Sequence, residues 1–244
     1  MFKILFIFSG HDSSYPLREA WIEIKKTYPG EILLQFMDTY KIDRDQEEFE
    51  KCRDVIKDSD LLFISMHGGI TYFKSFDGIM AEFEGKKKFF IYLGVEDENV
   101  ELLKKSGIGK EEYDEILRYY LMGGTENNMN MILYMATIFG KEIYPFEAPK
   151  PPCWEGVYYA GKPVKDYKEY IHQIRESGKP IAGILFYSKY LHENNTRHID
   201  ALIKEIELLG GQPLEAAQRR YPVFARSCLQ GMGYRLQPYK KQPA

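Results

Sequence analysis

A histidine followed by two glycines, His67-Gly68-Gly69, comes directly after the apolar run LLFISM. Paired glycines beside a buried strand indicate close backbone approach or a positive φ angle, which serves a ligand site or a bare turn. His11 and Asp38 follow two other apolar runs in the same way. Imidazole and carboxylate groups carry general acid–base chemistry. His67, His11 and Asp38 are therefore site candidates, and ordinary polar strand ends are the alternative.

Alternating strand and helix patterns must position these residues. Apolar runs predict strands over 3–8, 31–37, 60–65 and 87–94. The segments between them have helical periodicity, for example at 16–27. This alternation predicts an α/β fold with an open, mainly parallel sheet and helices on both faces, Rossmann-like or flavodoxin-like. Ligands of such sheets meet the loops at the carboxyl ends of the strands, where all three candidates fall.

A Pro-rich stretch, EAPKPPCWEG, divides the chain. We predict an open α/β module over 1–145, a linker and helix over 146–179, and the start of a second α/β module over 180–214. Residues 216–244 contain four arginines, two lysines and no acidic residue. Because this composition differs from the rest of the chain, we interpret 215–244 as a non-native or disordered tail.

Several well-known catalytic motifs are absent from the sequence. No phosphate-binding loop or G-x-G-x-x-G occurs, so we expect no ATP site of that type. No G-x-S-x-G elbow accompanies the His-Gly-Gly, and no cysteine follows the predicted strand at 87–94. His192 and His198 are six residues apart, whereas helical metal-ligand pairs are three or four apart. We therefore predict no metal site in this chain.

Bulk composition narrows the class of protein. The chain has 244 residues, 44% of them hydrophobic, and a net charge of −3, which does not suggest a nucleic-acid-binding protein. Three cysteines without a C-x-x-C suit a reducing compartment, so we expect a cytoplasmic location. No apolar run approaches the length of a membrane span.

Three segments, in order, resemble the large subunit of ATP-dependent metal chelatases. These subunits are the cobaltochelatase large subunit and the porphyrin-binding subunit of magnesium chelatase. DLLFISMHGGITYFKSFDGIMAEF is similar to a strand–loop–helix segment of that family, and YYLMGGTENNMNMILYMA to its Gly-Gly-x-x-Asn segment. AGILFYSKYLHENNTRHIDALIKEIELLGGQPL is similar to its segment with a Tyr-ended strand and an Asn-Thr loop. The resemblance covers roughly residues 60–214.

The resemblance implies an N-terminal portion of a subunit several times longer that inserts cobalt or magnesium into a tetrapyrrole, as in cobalamin or chlorophyll-type biosynthesis. Separate AAA-type partner subunits would bind ATP and Mg, this fragment would hold no cofactor, and the metal ion would be a substrate. The family's catalytic residues would lie outside this chain, so none is assigned here and the isolated chain is expected to be inactive.

A tetrapyrrole needs an aromatic or apolar slot with a few polar donors. Tyr72, Phe73, His67 and the Gly68–Gly69 amides are candidates for such a slot. The alternative is that Phe73 and Phe76 pack the following helix onto the sheet. The motif residues Gly123, Gly124, Asn127 and Asn195 complete the set of ligand-binding candidates.

Two other interpretations remain open at this point. One is a non-catalytic α/β module that binds a ligand or docks a partner. The other is a stand-alone hydrolase that uses His67 and Asp38.

Overall fold

The computed structural model describes residues 1–9, 14–66, 69–93, 96–151, 156–159, 161–164, 166–192 and 195–218. The chain divides into two compact units, Met1–Pro151 and Pro152–Ala244. The predicted module boundary at 145 therefore falls six residues early, because the extended segment after the last helix of the first unit still packs on that unit.

The first unit is built on a four-stranded sheet. Its strands are β1 (Phe2–Phe8), β2 (Ile32–Asp38), β3 (Leu61–Ser65) and β4 (Lys88–Tyr92). They lie in the order β2-β1-β3-β4, and all three pairings are parallel. The predicted strands are thus confirmed, with ends displaced by one or two residues.

Helices cover both faces of this sheet. The helices of the first unit are α1 (Ser14–Thr27), α2 (Thr39–Arg44), α3 (Gln46–Asp58), α4 (Phe76–Phe83), α5 (Glu96–Lys105), α6 (Lys110–Met122) and α7 (Gly124–Phe139). One core contains Phe6 and Phe63 with residues of α1, α6 and α7. The other contains Leu5 and Leu62 with residues of α2, α3 and α4. The predicted open α/β fold is confirmed.

Strand β3 shows why a continuous apolar run predicted a strand in this sheet. All five of its residues are buried, because successive side chains enter opposite faces and both faces carry a core. A strand of this kind has a continuous apolar run instead of an alternating pattern.

The second unit has a mixed sheet of four strands. They are β5 (Gly156–Tyr159), β6 (Lys162–Val164), β7 (Ile181–Tyr187) and β8 (Gln212–Gln218), in the order β6-β5-β8-β7. Its helices are α8 (Tyr167–Glu176), α9 (Ser188–His192) and α10 (Arg197–Leu208). Strand β7 pairs in parallel with β8, whereas β5 pairs antiparallel with both β6 and β8.

The interpretation of 146–179 as linker and helix was wrong in part. Helix α8 is present, but two strands precede it, and Val157 and Tyr158 of β5 are each 1% exposed. A turn at Gly161, with φ 84°, connects β5 to β6. The Pro-rich composition just before this hairpin concealed it.

The predicted tail also begins later than 215. Residues 215–218 belong to β8, where Glu215 and Ala216 pair with Tyr158 and Val157. The rest of the predicted tail, 219–244, lies outside the described residues.

Candidate functional site

The carboxyl ends of the first unit's strands meet at one edge of its sheet. In the strand register, Phe8 lies between Asp38 and Ser65, and Ser65 is paired with Tyr92. The backbone N–H of Ser9 donates to the carbonyl oxygen of Ser65 at 3.2 Å. The chain crosses from β2 to the other side of β1 on its way to β3, so the crevice between β1 and β3 is the switch point at which such sheets bind ligands.

The two histidines that drew attention to this edge lie outside the described residues, as does Gly68. The segments that bear them leave from neighbouring strand ends, Phe8 and Ser65. The prediction that His67 sits at the carboxyl edge of a central strand therefore stays a prediction for the side chain. Its strand, β3, is central and ends at that edge.

Gly69 has a backbone conformation that only glycine adopts readily. Its φ is 88° and its ψ is 176°, and the residue is buried. A side chain at this φ and ψ is strained by about 1 to 3 kcal/mol. The positive φ expected from the paired glycines is thus found at Gly69, where the chain turns from β3 into a short 3₁₀ helix, Ile70–Tyr72.

The two aromatic candidates of this loop point to different environments. Tyr72 is 74% exposed, whereas Phe73 is 1% exposed and packs in the core against Phe76, with ring centroids 6.3 Å apart. Asp43 fixes the loop by accepting hydrogen bonds from the backbone N–H groups of Lys74 and Ser75 at 3.0 and 2.8 Å. Phe73 is therefore a packing residue, whereas the ring of Tyr72 is exposed to solvent.

Asp38 begins a helix at the same edge. Its carboxylate accepts hydrogen bonds from the backbone N–H groups of Tyr40 at 2.8 Å and Lys41 at 3.3 Å. These N–H groups have no partner within helix α2, so the carboxylate acts as an N-cap. The structural role of Asp38 as a cap accounts for an acidic residue at this strand end.

A hydroxyl pair at the switch point was missed by sequence reasoning. The Ser65 Oγ and the Tyr120 phenolic oxygen are 2.5 Å apart. The Tyr120 ring lies 5.3 Å from that of Phe63 and 5.8 Å from that of Tyr92. The only sequence signal was a serine that ends a wholly apolar strand, and its tyrosine partner comes from α6, 55 residues later. Hydroxyls of this kind donate and accept hydrogen bonds to a polar ligand group.

The Gly-Gly-x-x-Asn motif forms a structural clamp. Gly123 ends α6 with φ 66°, and Gly124 begins α7 with φ 79°. The Asn127 amide donates to the carbonyl oxygens of Gly123 and Lys150, both at 2.9 Å, and its oxygen accepts from the Lys150 N–H at 2.9 Å. These bonds use both N–H groups of the Asn127 side chain.

Two further side chains hold the same extended segment. Asn130 accepts from the Glu147 backbone N–H at 2.9 Å, and the Tyr119 hydroxyl donates to the Glu147 carbonyl at 2.5 Å. Between α6 and α7 the helical backbone is interrupted at Gly123 alone. This clamp explains the candidates Gly123, Gly124 and Asn127. The hydrogen bonds described above do not join them to the Ser65–Tyr120 pair.

Asn195 belongs to the second unit. Its backbone N–H donates to the Tyr190 carbonyl at 2.8 Å, which folds the Asn-Thr loop back on α9. The neighbouring Thr196 hydroxyl donates to Asp200 at 3.0 Å, and the Asp200 carboxylate also accepts from the Tyr158 hydroxyl at 2.6 Å. Burial, together with the hydrogen bond to Asp200, raises the pKa of Tyr158. The loop motif therefore ties α10 to β5.

Among the described residues, no three His, Cys, Asp or Glu side chains converge as a metal site. Within the same residues, no helix is long and apolar enough to cross a membrane.

The first unit has the fold of an open, doubly wound α/β protein, with its switch point between β1 and β3. Known proteins identify the family. Residues 117–232 match the family model described as CobN/Magnesium Chelatase. This match bears out the resemblance that the three sequence segments indicated.

The relatives are much longer than this chain. It is 31% identical over 219 residues to the uncharacterized protein MJ0908 of Methanocaldococcus jannaschii, covering 88% of this chain and 17% of the relative. It is 28% identical over 153 residues to the uncharacterized protein MJ1441 of the same organism, covering 62% and 11%.

A solved structure has the same fold. The catalytic subunit of cobaltochelatase from Mycobacterium tuberculosis superposes with a TM-score of 0.59 at 18% identity, over 95% of this chain and 17% of that chain.

Proposed function

We propose that this chain is part of the large subunit of an ATP-dependent metal chelatase that inserts cobalt or magnesium into a tetrapyrrole. The match of residues 117–232 to the CobN/Magnesium Chelatase family carries this proposal. The fold shared with a cobaltochelatase catalytic subunit supports it. The subunit acts in the cytoplasm, and separate AAA-type subunits bind and hydrolyse ATP with Mg.

In this proposal the carboxyl edge of the first sheet contacts the macrocycle. A tetrapyrrole is a large planar ring with acidic side groups, so it is held by stacking on aromatic rings and by a few polar donors. Tyr72 is 74% exposed at this edge and offers the ring. The Ser65–Tyr120 pair offers hydroxyl groups at the switch point. His67, His11 and Gly68 stay candidates for the same edge.

The buried, positive-φ Gly69 supports a positioning role for the loop. A backbone held in a sparsely populated conformation persists where the surrounding structure fixes it, and such positions cluster at ligand sites. Asp43 fixes the far end of the loop. Tyr72 is thus presented from a loop anchored at both ends, which keeps its ring ready for stacking.

Metal insertion by the full-length subunit tests the reaction. The subunit is mixed with its ATPase partners, ATP and a metal-free tetrapyrrole, and either Co²⁺ or Mg²⁺ is added while the absorption bands are followed. We expect insertion of one of the two metals, slowed by Tyr72→Ala. The matched control is Tyr167→Ala, an exposed tyrosine of the second unit. Failure of both metals with protoporphyrin and with a metal-free corrin-ring diamide would contradict the proposal.

A further inference from the structure

A groove runs along the free edge of the first sheet, away from the carboxyl edge. Strand β2 is the outermost strand and, among the described residues, pairs with β1 alone. Helix α1 lines the groove on one side and α3 on the other, with β2 as its floor. Its volume is about 610 Å³. An additional strand of the sheet would lie in this position.

An unpaired strand edge presents a row of backbone N–H and C=O groups. Such edges accept an extended peptide, whose main chain extends the hydrogen-bonded ladder while alternate side chains enter the flanking surfaces. The flanking surfaces here carry apolar side chains between their charged ones: Trp21 and Ile22 from α1 and Val55 from α3. Ile22 is 41% exposed. The groove therefore has the two features that strand addition requires, a free ladder and apolar side chains on its walls.

Two buried polar atoms in the groove lack partners. Among the described residues, neither the Trp21 indole nitrogen nor the Gln35 side-chain oxygen has a hydrogen-bond partner. Trp21 packs with the β2 residues Leu34 and Phe36, whereas Gln35 lies on the opposite face of β2 because strand residues alternate. Both atoms are buried, and a buried polar group without a partner is unusual.

The charges around the groove are mainly positive. The Arg18 guanidinium lies 5.6 Å from the centre of the Phe36 ring, and the Lys25 ammonium lies 4.0 Å from that of Trp21. In the part of the chain that the structure describes, neither cation forms an ion pair with a carboxylate. Lys51 on the other wall is paired with Glu48 at 3.1 Å. Two uncompensated cations on one wall favour an occupant with acidic side chains.

We propose that this groove, lined by Trp21, Ile22, Gln35, Val55, Arg18 and Lys25, binds an extended acidic segment of a partner polypeptide as a fifth strand beside β2. The partner's main chain pairs with β2. Its carboxylates, on the face toward α1, meet Arg18 and Lys25 beside Trp21, and its apolar side chains, on the face toward α3, pack on Val55. This inference rests on the groove alone and is independent of the chelatase proposal.

Trp21 provides the reporter for a binding test. The chain has two tryptophans, Trp21 and Trp154, so the Trp154→Phe variant leaves Trp21 as the single indole fluorophore. The probe is a seven-residue peptide of alternating valine and glutamate with blocked ends. We expect a saturable change in Trp21 fluorescence. Two matched peptides are the controls: alternating valine and lysine, and the acidic sequence with alternate backbone nitrogens methylated. Both are expected to bind at least about tenfold more weakly.

Charge reversal of the chain gives a second arm of the test. In calorimetry, Arg18→Glu with Lys25→Glu is expected to weaken acidic-peptide binding roughly tenfold. Lys104→Glu with Lys105→Glu, on α5, should leave it unchanged. Circular dichroism checks that both double variants fold, and the peptide controls need no variant.

Three results would overturn the proposal. The first is no saturation by the acidic peptide at concentrations on the order of 1 mM. The second is equal binding of the acidic and methylated peptides. The third is self-association of the chain that buries Trp21, which would assign the groove to a second copy.

Discussion

The two sheets of this protein bury similar strands to different extents. Strand β3 of the first unit and strand β7 of the second are both continuous apolar runs. All of β3 is buried, yet Leu185 and Tyr187 of β7 are 57% and 63% exposed. On its other face, β7 packs Phe186 against Ile199 and Ile203 of α10. An apolar run therefore predicts a strand but does not reveal how many of its faces are covered.

The difference has a structural origin. The first sheet has helices on both faces, so odd and even residues of its central strands β1 and β3 both reach a core. In the second sheet, α8 contributes Ile174 to a small core with Val157 and Leu214, and that core reaches β7 at Ile181. Beyond Ile181, the described part of the chain leaves this face of β7 open.

Truncation of a ring in the centre of the first sheet should have the largest effect. Phe63 is fully buried, and its ring lies 4.6 Å from that of Phe90 and 4.9 Å from that of Phe6. We expect Phe63→Ala to lower the free energy of unfolding by about 3 to 5 kcal/mol. The counterpart in the second sheet, Leu185→Ala, should cost less than about 1 kcal/mol. Urea denaturation measures both, and equal losses would show that β7 is as well covered as β3.

Loss of the Asn127 clamp in the first unit should have the second-largest effect on the free energy of unfolding. Asn127→Ala loses three hydrogen bonds to the backbone of Gly123 and Lys150, and each contributes about 1 kcal/mol, so we expect a loss of about 2 to 3 kcal/mol. Gln46→Ala is the control, because Gln46 makes an exposed hydrogen bond to Glu50. A loss for Asn127→Ala as small as that of the control would leave the motif without a structural role.

A side chain at Gly69 should cost about 1 to 3 kcal/mol because of its positive φ. Gly183 in β7 is the matched position: a Cβ there meets no atom within 4 Å, and its φ lies outside the positive range. Gly183→Ala is therefore expected to be close to neutral. Thermal denaturation of the two variants checks this, and equal melting temperatures would mean that the turn after β3 tolerates an ordinary backbone.

The burial of Cys52 in the first unit should make the free energy of unfolding depend on pH in the alkaline range. Burial raises the pKa of this thiol from 9.0 to about 12, with a smaller contribution from the Glu48 carboxylate. Between pH 9 and 12 the unfolded chain releases a proton that the folded chain retains, so stability falls as the pH rises. Cys52→Ala removes this contribution and should make the decline shallower.

Urea midpoints, at neutral pH and in steps through this window, measure the slope. Tyr113 and Tyr119, whose pKa values are also raised to about 12 by burial, keep part of the decline in the variant. Leu185→Ala should have the slope of the parent chain. Identical slopes for the parent and Cys52→Ala would show that the thiol is accessible to solvent.

Local sequence patterns predicted most of the fold but fewer features of the candidate site. Apolar runs located the strands of the first sheet, most clearly β1 and β3, which are buried on both faces. It missed β5 and β6, since a four-residue and a three-residue strand beside a Pro-rich stretch leave little pattern. The positive φ at Gly69 followed from residue type. The Ser65–Tyr120 pair did not, because it joins residues 55 apart through packing that no local signal specifies.

Two ligand-binding candidates, Phe73 and Asn127, make structural contacts that the sequence did not reveal, for a related reason. An exposed aromatic and a buried one have the same appearance in a sequence, so Tyr72 and Phe73 were not distinguished. Asn127 has the amide of a ligand-binding residue, but its partner is the backbone of Lys150, 23 residues away.

Equilibrium binding of a metal-free tetrapyrrole to this chain tests the central proposal most directly. Protoporphyrin is titrated with the protein, and the shift of its absorption bands gives the dissociation constant. The account predicts saturable binding that Tyr72→Ala weakens roughly threefold to tenfold and that Tyr167→Ala leaves unchanged. The absence of a saturable shift, or equal affinities for the two variants, would contradict a macrocycle site at the carboxyl edge of the first sheet.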